Sequence, residues 1–194
     1  MFLTNQENDA IQKIEALQFE FLQFTDYAAL ANQGDYILLS HPTLREGDTD
    51  WVAAYGDYRS SEVGGNYNVV IANIQELYDQ FAHGIQNHPL SIRHFVNFAV
   101  DTWASNPEHL FLVGKGIGYR TTTTPSAFEA NFIPTFGHQP SDVFLTARGL
   151  NDYRPQLAVG RLSAQTPNDV QNYLQKIQQY ENIEDCSIEE RAWR

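Results

Sequence analysis

The stretch YILLSHP, from Tyr36 to Pro42, is a short apolar run that ends at a proline. Such a run is typical of a buried β-strand. Three further runs have the same character and are separated by helical patterns: residues 67–74, 109–113 and 156–159. Strands that alternate with helices predict right-handed crossovers. We therefore predict an α/β domain of three layers, in which helices flank both faces of a mainly parallel sheet.

The helical segments are predicted from apolar residues spaced three and four apart. They cover residues 48–60, with Asp48 or Thr49 as the N-cap, residues 75–82, a helix from Pro89 to the Asn106-Pro107 pair, and a last helix after Thr166-Pro167. Short apolar pieces between Phe128 and Thr146 predict a hairpin or edge strands. Residues 1–33 fit a helix or a strand equally well. We divide the chain into a leader or the end of a preceding segment (1–33), the α/β domain (34–182) and a connector to a downstream unit (183–194).

Composition limits the classes of function. The net charge is -12, and such an acidic surface repels phosphate backbones, so a nucleic-acid partner is not expected. No apolar run approaches the length of about 20 residues that a membrane-spanning helix needs, so membrane insertion is not expected either. The first residues lack the basic start and apolar stretch of a secretory signal peptide. With 42% hydrophobic residues, most of the chain should fold.

Candidate catalytic and metal-binding residues are few. The only cysteine, Cys186, lies among Glu184, Asp185, Glu189 and Glu190. Nearby carboxylates disfavour a thiolate, so we expect an incidental cysteine rather than a nucleophile. A metal shared by His83 and His88 stays an open but weak alternative, and we predict no cofactor. The glycines Gly114-x-Gly116-x-Gly118 follow a strand, but a tract of threonines and a proline follows them instead of the helix that a dinucleotide loop needs.

Several ordered pieces of the chain resemble the gingipain-type cysteine peptidases and their relatives, the type IX secretion sortases. They begin with the strand DYILLSHP, at residues 35–42, and end with YEN, at residues 180–182. Between them lie LYDQFAHG at residues 77–84, SIRHFV at residues 91–96, HLFLVG at residues 109–114, IPT at residues 133–135, SD at residues 141–142 and LAVGRLS at residues 157–163. Each piece is short, and their order and spacing carry the resemblance.

The resemblance implies a caspase-like fold of two adjacent α/β subdomains, of which this chain matches the first. It marks ten family-signature residues, which we expect to be structural: Tyr78, Phe81, Gly84, Ile92, Phe95, Gly114, Pro134, Asp142, Gly160 and Arg161. For Arg161 two roles stay open. It either reaches the second subdomain or a catalytic-side loop, or it ties its strand end to a local carboxylate.

The chain also departs from the family pattern. Lys115 and Arg120 stand where the resemblance implies acids, and Val143 replaces a second acid after Asp142. A structural calcium ion, which the family can hold, therefore cannot be placed here. The resemblance puts the catalytic histidine in a Gly-His-Gly segment and the cysteine in a Cys-x-x-Gly segment, and this chain has neither. His138 follows Gly137, but Gln139 comes next.

The leading hypothesis is the N-terminal, non-catalytic subdomain of a gingipain-like cysteine endopeptidase, secreted or at the cell surface. Its expected partners are the downstream catalytic subdomain and the protein substrates of the parent. The alternative is a diverged, non-enzymatic binding module of a larger surface protein. No motif supports a stand-alone small-molecule enzyme. Because Ile183, Ile188 and Trp193 have no helical face of their own, we expect Trp193 to be partly exposed at a seam between subdomains, or buried only against a neighbouring copy.

Overall fold

A computed structural model describes residues 23–118, 122–137, 139–149 and 151–181. Its strands are β1 (Tyr36–Ser40), β2 (Val69–Asn73), β3 (His109–Val113), β4 (Ala147–Gly149), β5 (Asp152–Pro155) and β6 (Ala158–Leu162). Its α-helices are α1 (Trp51–Ser60), α2 (Ile74–Phe81), α3 (Leu90–Thr102), α4 (Pro125–Glu129), α5 (Val143–Thr146) and α6 (Pro167–Glu181). Two short 3-10 helices, Leu30–Asn32 and Pro42–Arg45, flank β1.

Four strands form a parallel sheet in the order β2-β1-β3-β6. The registers are continuous, and every residue of β1 is buried because β1 has a strand on each side. The predicted α/β class and mainly parallel sheet are confirmed. Two strands differ in their boundaries: the second is Val69–Asn73 rather than residues 67–74, and the fourth is Ala158–Leu162 rather than residues 156–159. Arg161 therefore lies inside a strand and is not a residue that follows it.

Helices cover both faces of the sheet, which gives the predicted three layers. One core cluster joins α2 and α3 to Ile37, Leu39, Leu110 and Leu112. The other joins α1 and α6 to Tyr36 and Leu38. Alternate residues of β1 thus enter opposite cores, as the period of a strand requires. The first core includes four of the signature residues: Tyr78, Phe81, Ile92 and Phe95. Of these, Phe81 is only partly buried.

The positions of the helices agree with the right-handed rule for crossovers. The crossover through α1 moves the chain from β1 to β2 on one face, and the crossover through α2 and α3 moves it back past β1 to β3 on the other face. On the α1 and α6 face, a right-handed crossover therefore advances toward β2. On the α2 and α3 face, it advances toward β6.

The helix starts follow from side-chain caps. Asp50 accepts hydrogen bonds from the N–H groups of Val52 and Ala53, so the predicted caps Asp48 and Thr49 are wrong by one or two positions. Asn73 caps α2, and α3 begins directly after Pro89, as predicted.

At the end of α6, Glu181 accepts hydrogen bonds from Tyr58 Oη (2.6 Å) and Arg59 Nη1 (2.9 Å), which fix α6 to α1.

The segment before β6 differs most from the prediction. The described residues between 128 and 146 form the end of α4, a loop with an isolated antiparallel bridge between Phe136 and Ser141, and the short helix α5. The hairpin lies later, in β4 and β5. Thr124 caps α4 by accepting a hydrogen bond from the N–H of Ala127, and Pro125 lies in the first turn. This local cap favours a helix, whereas the short apolar pieces alone were compatible with strands.

The residues before β1 pack on the domain. Tyr27 is buried, and its carbonyl accepts a hydrogen bond from Trp103 Nε1 (2.8 Å). Its hydroxyl and Thr25 donate to Glu76. The division of the chain at residue 33 stays a prediction, because residues 1–22 lie outside the described residues, as does the connector beyond residue 181. In the described part, no helix is long and apolar enough to cross a membrane.

Candidate functional site

The carboxyl ends of β1 and β3 are the place where this fold would bind a ligand. In open α/β sheets, ligands bind outside the carboxyl ends of the strands, at the point where the strand order reverses. Here the chain leaves β1 toward β2 on one side and later returns to β3 on the other. His41 follows β1 at this point, and Gly114 follows β3.

A segment of the chain itself, residues 131–134, fills this crevice. The N–H groups of Phe132 and Ile133 both donate to the carbonyl of Lys115 (3.0 and 3.2 Å). The amide oxygen of Asn131 accepts from Ile117 N–H (2.8 Å). Ile133 is fully buried. The ring of Phe132 stacks on His41, with centroids 4.7 Å apart and planes at 14°. We call residues 131–134 the plug.

The glycines after β3 allow the plug to approach the backbone. Gly114 has a φ of +150°, and a Cβ there would lie 2.8 Å from Ile133 Cγ1. A Cβ on Gly116 would lie 3.0 Å from both Arg161 Nη1 and the carbonyl of Ile133. Among the described residues, no helix opens at this loop to receive a phosphate. The glycines therefore serve close packing, and the dinucleotide alternative has no support.

Arg161 clamps the plug to the sheet. Its guanidinium makes a bidentate ion pair with Asp142, with Nε 2.7 Å and Nη2 2.8 Å from the two carboxylate oxygens. Nη1 also donates to the carbonyls of Gly114 (2.8 Å) and Ile133 (2.9 Å), and Nη2 donates to that of Pro134 (3.4 Å). Of the two roles left open by the sequence, the structure shows the local carboxylate. Four of the ten signature residues meet in this one cluster: Gly114, Pro134, Asp142 and Arg161.

The other signature residues lie apart from this cluster or support it indirectly. Tyr78 is buried, and burial raises the pKa of its hydroxyl, which donates to Asn87 Oδ1 (3.3 Å). Asn87 in turn donates to the carbonyl of Phe128 at the end of α4. Gly84, with a φ of +79°, ends α2 by donating to the carbonyl of Tyr78. Gly160 faces the ring of Phe111.

The histidines do not assemble a metal site in the described part of the chain. There, no group of three His, Cys, Asp or Glu side chains could hold an ion. His83, His88 and His94 line a mainly apolar cavity of about 200 Å³. His94 Nδ1 donates to the carbonyl of Phe81 (2.9 Å), and His88 Nδ1 accepts from Leu90 N–H (3.2 Å). These bonds orient both rings locally, and the shared metal of His83 and His88 gains no support.

Sequence reasoning missed His41 and Phe132 as contacts at the carboxyl edge. Burial lowers the pKa of His41, and the carboxylate of Glu46 opposes this effect. The one available signal was the position of His41 directly after a buried strand. Cys186, Arg120, His138 and Trp193 lie outside the described residues, so the predictions made for them stay predictions.

Comparisons with known proteins agree with this architecture. The crystal structure of dimeric latent PorU from Porphyromonas gingivalis matches with a TM-score of 0.59 and 18% sequence identity, over 76% of this chain and 15% of that chain. This likeness shows a common fold for a small part of the larger protein. A comparison with curated proteins yields no match. The model of peptidase family C25 matches residues 29–194. The chain therefore belongs to peptidase family C25, the gingipain family whose motifs its sequence resembles.

Proposed function

We propose that this chain is the N-terminal, non-catalytic subdomain of a gingipain-like cysteine endopeptidase and that it supports a downstream catalytic subdomain. The observation that carries the proposal is the plug. The crevice at the carboxyl ends of β1 and β3, where an open α/β sheet would bind a ligand, holds Phe132 and Ile133 of the chain itself. Arg161 donates hydrogen bonds to two carbonyls of the plug, those of Ile133 and Pro134. It also donates to the carbonyl of Gly114, in the loop of glycines at residues 114–118, which we call the glycine loop.

The inventory of reactive groups supports the same proposal. A cysteine peptidase needs a thiolate beside a histidine. The chain has one cysteine, Cys186, with acidic neighbours in sequence that disfavour the thiolate. The side chains described above at the carboxyl edge are an arginine, a carboxylate, a histidine and apolar groups. Ser40, the last residue of β1, is fully buried, and its hydroxyl has no hydrogen-bond partner among the described residues, so no base there activates it as a nucleophile. The edge is therefore suited to a structural role.

The proposal extends to the parent protein. Its substrates are polypeptides, it is secreted or at the cell surface, and a role in type IX secretion follows from the sortase-like resemblance. The proposal includes no cofactor. The calcium ion that the resemblance allows cannot be placed in this chain, because Lys115 and Val143 stand at positions where the resemblance implies acids. The Lys115 ammonium instead contacts Gln165 (3.3 Å).

The test compares the 194-residue chain with the longer polypeptide that contains the residues after Arg194. We expect the chain alone to cleave no peptide from a fluorogenic library, with Cys186→Ala identical to wild type. We expect the longer form to cleave peptides and to lose this activity on alkylation with iodoacetamide. Thiol-dependent cleavage by the chain alone, abolished by Cys186→Ala, would overturn the non-catalytic role. A longer form without any activity would favour the alternative, a non-enzymatic binding module.

A further inference from the structure

The strand β6 is an edge of the sheet, and two of its five residues turn their backbone groups away from β3, where they have no partner among the described residues. Ala158 N–H donates to the carbonyl of Glu108, and Leu162 accepts from Gly114 N–H (both 2.9 Å). Residues 158, 160 and 162 therefore turn their backbone groups toward β3. Because these groups alternate along a strand, the N–H and C=O of Val159 and Arg161 point away from the sheet.

This edge has few of the devices that usually protect one. Proteins guard exposed edges with lysines, prolines, bulges, inward-pointing charged residues or a covering element. The sequence of β6 is Ala-Val-Gly-Arg-Leu, and its register with β3 is continuous. Its only charged side chain, Arg161, turns inward and is already paired with Asp142, so a strand that pairs with β6 would not bury an uncompensated charge. At the other edge, β2 has α1 on one face and α2 on the other, and none of its side chains is exposed.

The surface around β6 is open and partly apolar. Ala158 and Gly160 are exposed. A Cβ on Gly160 would meet only the ring of Phe111, at 3.4 Å. On the opposite face of the sheet, Val143 is 40% exposed and Tyr153 is 65% exposed. Tyr153 contacts the ring of Phe144. A strand beside β6 would therefore find backbone partners and apolar contacts on both faces.

The topology indicates which strand could lie there. The helix α6 packs on the same face as α1, where a right-handed crossover advances toward β2. A strand reached directly from α6 would thus be placed beyond β2, at the far edge. A strand that pairs with β6 has to arrive as part of a separately folded unit with its own helices.

We propose that β6 is the joining edge, and that a strand of the catalytic subdomain pairs with the backbone of Val159 and Arg161. This inference rests on the proposed function, which supplies the second unit. The 15% coverage of the PorU chain leaves ample length for such a unit in a relative. The partner strand carries a β-branched or aromatic residue beside Gly160, where it covers the ring of Phe111. Arg161 then binds the partner through its backbone while its side chain holds the plug.

The experiment measures amide hydrogen exchange in the 194-residue chain and in the longer polypeptide. We expect the amides of Val159 and Arg161 to exchange at least about 10-fold more slowly in the longer form, because pairing removes them from solvent. The amide of Ile71 is the matched control, since it points outward at the β2 edge. Slower exchange at Ile71 alone would place the partner at the opposite edge and overturn the proposal.

A pair of proline substitutions provides the second measurement. Val159→Pro removes an outward N–H at β6, and Ile71→Pro removes one at β2. We expect Val159→Pro to reduce peptidase activity of the longer form at least about 10-fold more than Ile71→Pro. Within the chain alone, the two variants should change the melting temperature by similar amounts. If the longer form is an active peptidase but Val159 and Arg161 exchange unchanged, the joining edge is wrong and the proposed function stands. If the longer form is inactive and these amides still become protected, the edge pairs with a partner but the peptidase function fails.

Discussion

Two buried arginines hold the loops of the α3 and β6 side of the molecule, and they do so in different ways. Arg161 has a carboxylate partner, Asp142, and three carbonyl acceptors from two separate segments. Arg93, on α3, is only 4% exposed, and its Nε and Nη2 donate to a single carbonyl, that of Phe144. Its guanidinium carbon lies 4.3 Å from the centroid of the Phe136 ring. In the described residues, no carboxylate pairs with it.

The difference separates two ways of compensating a buried cation. The charge of Arg161 is compensated by the Asp142 carboxylate, and their attraction offsets the free-energy cost of desolvating the pair. Loss of the arginine would leave both Asp142 and several carbonyls without a donor. The charge of Arg93 is compensated only by a carbonyl dipole and the face of an aromatic ring. Burial accordingly lowers the pKa of Arg93. We infer that removal of Arg161 destabilises the fold far more than removal of Arg93, although Arg93 is the more deeply buried of the two.

The largest effect is expected for Arg161→Met. This change leaves the Asp142 carboxylate unpaired and removes the donors to Gly114 and Ile133, and we expect a loss of about 3 kcal/mol in the free energy of unfolding. Arg148→Met is the matched control. It breaks an exposed ion pair with Asp101, where both side chains are about half exposed, and should cost less than about 1 kcal/mol. Urea denaturation measures both, and equal losses would contradict the clamp.

The second effect concerns the approach of the plug to the glycine loop. Gly114→Ala places a methyl group 2.8 Å from Ile133 Cγ1 at a φ of +150°, so we expect a loss of about 2 kcal/mol. Gly149→Ala is the control, because a Cβ there meets nothing within 4 Å. Thermal unfolding of the two variants should differ by several degrees. If both are as stable as wild type, close packing is not the reason for the glycine at position 114.

Arg93→Met tests the other half of the comparison. The change removes two hydrogen bonds and a cation–π contact, but it also removes a buried charge without a counter-ion. We expect the loss of these contacts and the removal of the buried charge to offset each other, so that the free energy of unfolding changes by no more than about 1 kcal/mol. Urea denaturation alongside Arg161→Met gives the contrast directly. A loss as large as that of Arg161→Met would mean that a carbonyl and a ring compensate a cation as well as a carboxylate does.

Both arginines stand in motifs that carry the resemblance, Arg93 in residues 91–96 and Arg161 in residues 157–163, but the sequence signalled a partner only for Arg161. Arg161 stands in the motif at residues 157–163, and Asp142 in the pair at residues 141–142, so both belonged to the signature residues before their contact was known. Arg93 lies within a helical stripe between Ile92 and His94, and its main partner is a backbone carbonyl 51 residues away. A contact with a backbone atom leaves no trace in residue type, so no sequence pattern could announce it.

The parts of the fold that could be predicted are those in which local sequence alone shows the structure. The four parallel strands and the helices α1, α2, α3 and α6 have apolar residues at a regular period, which local sequence displays directly. The region from residue 125 to 155 has no such period, and its course is set by caps and by backbone bonds to distant residues. The plug belongs to this region. The glycines at positions 114 and 116 indicated a close approach, but not which segment approaches.

His41 gives the smallest expected effect and tests whether a cation is tolerated over a phenyl ring at the carboxyl edge. A protonated His41 stacked on Phe132 would repeat the arrangement of Arg93 over Phe136. The two sites differ in their hydrogen bonds, since His41 Nδ1 accepts from Thr43 N–H (3.3 Å) and protonation would remove this acceptor. Burial lowers the pKa of His41 below its ordinary value of 6.5, and the carboxylate of Glu46 opposes this shift.

A lowered histidine pKa means that the unfolded chain binds the proton more readily than the folded one. The contribution of His41 to stability is then fully present above pH 6.5 and declines as the pH falls through that value toward the folded pKa. The comparison is with His41→Phe, which keeps an aromatic ring against Phe132 and cannot titrate. Urea denaturation between about pH 5 and pH 8 should show wild type losing stability relative to His41→Phe on acidification. If wild type instead gains stability as the pH falls, the attraction of Glu46 outweighs burial, and a cation at this edge is tolerated as it is at Arg93.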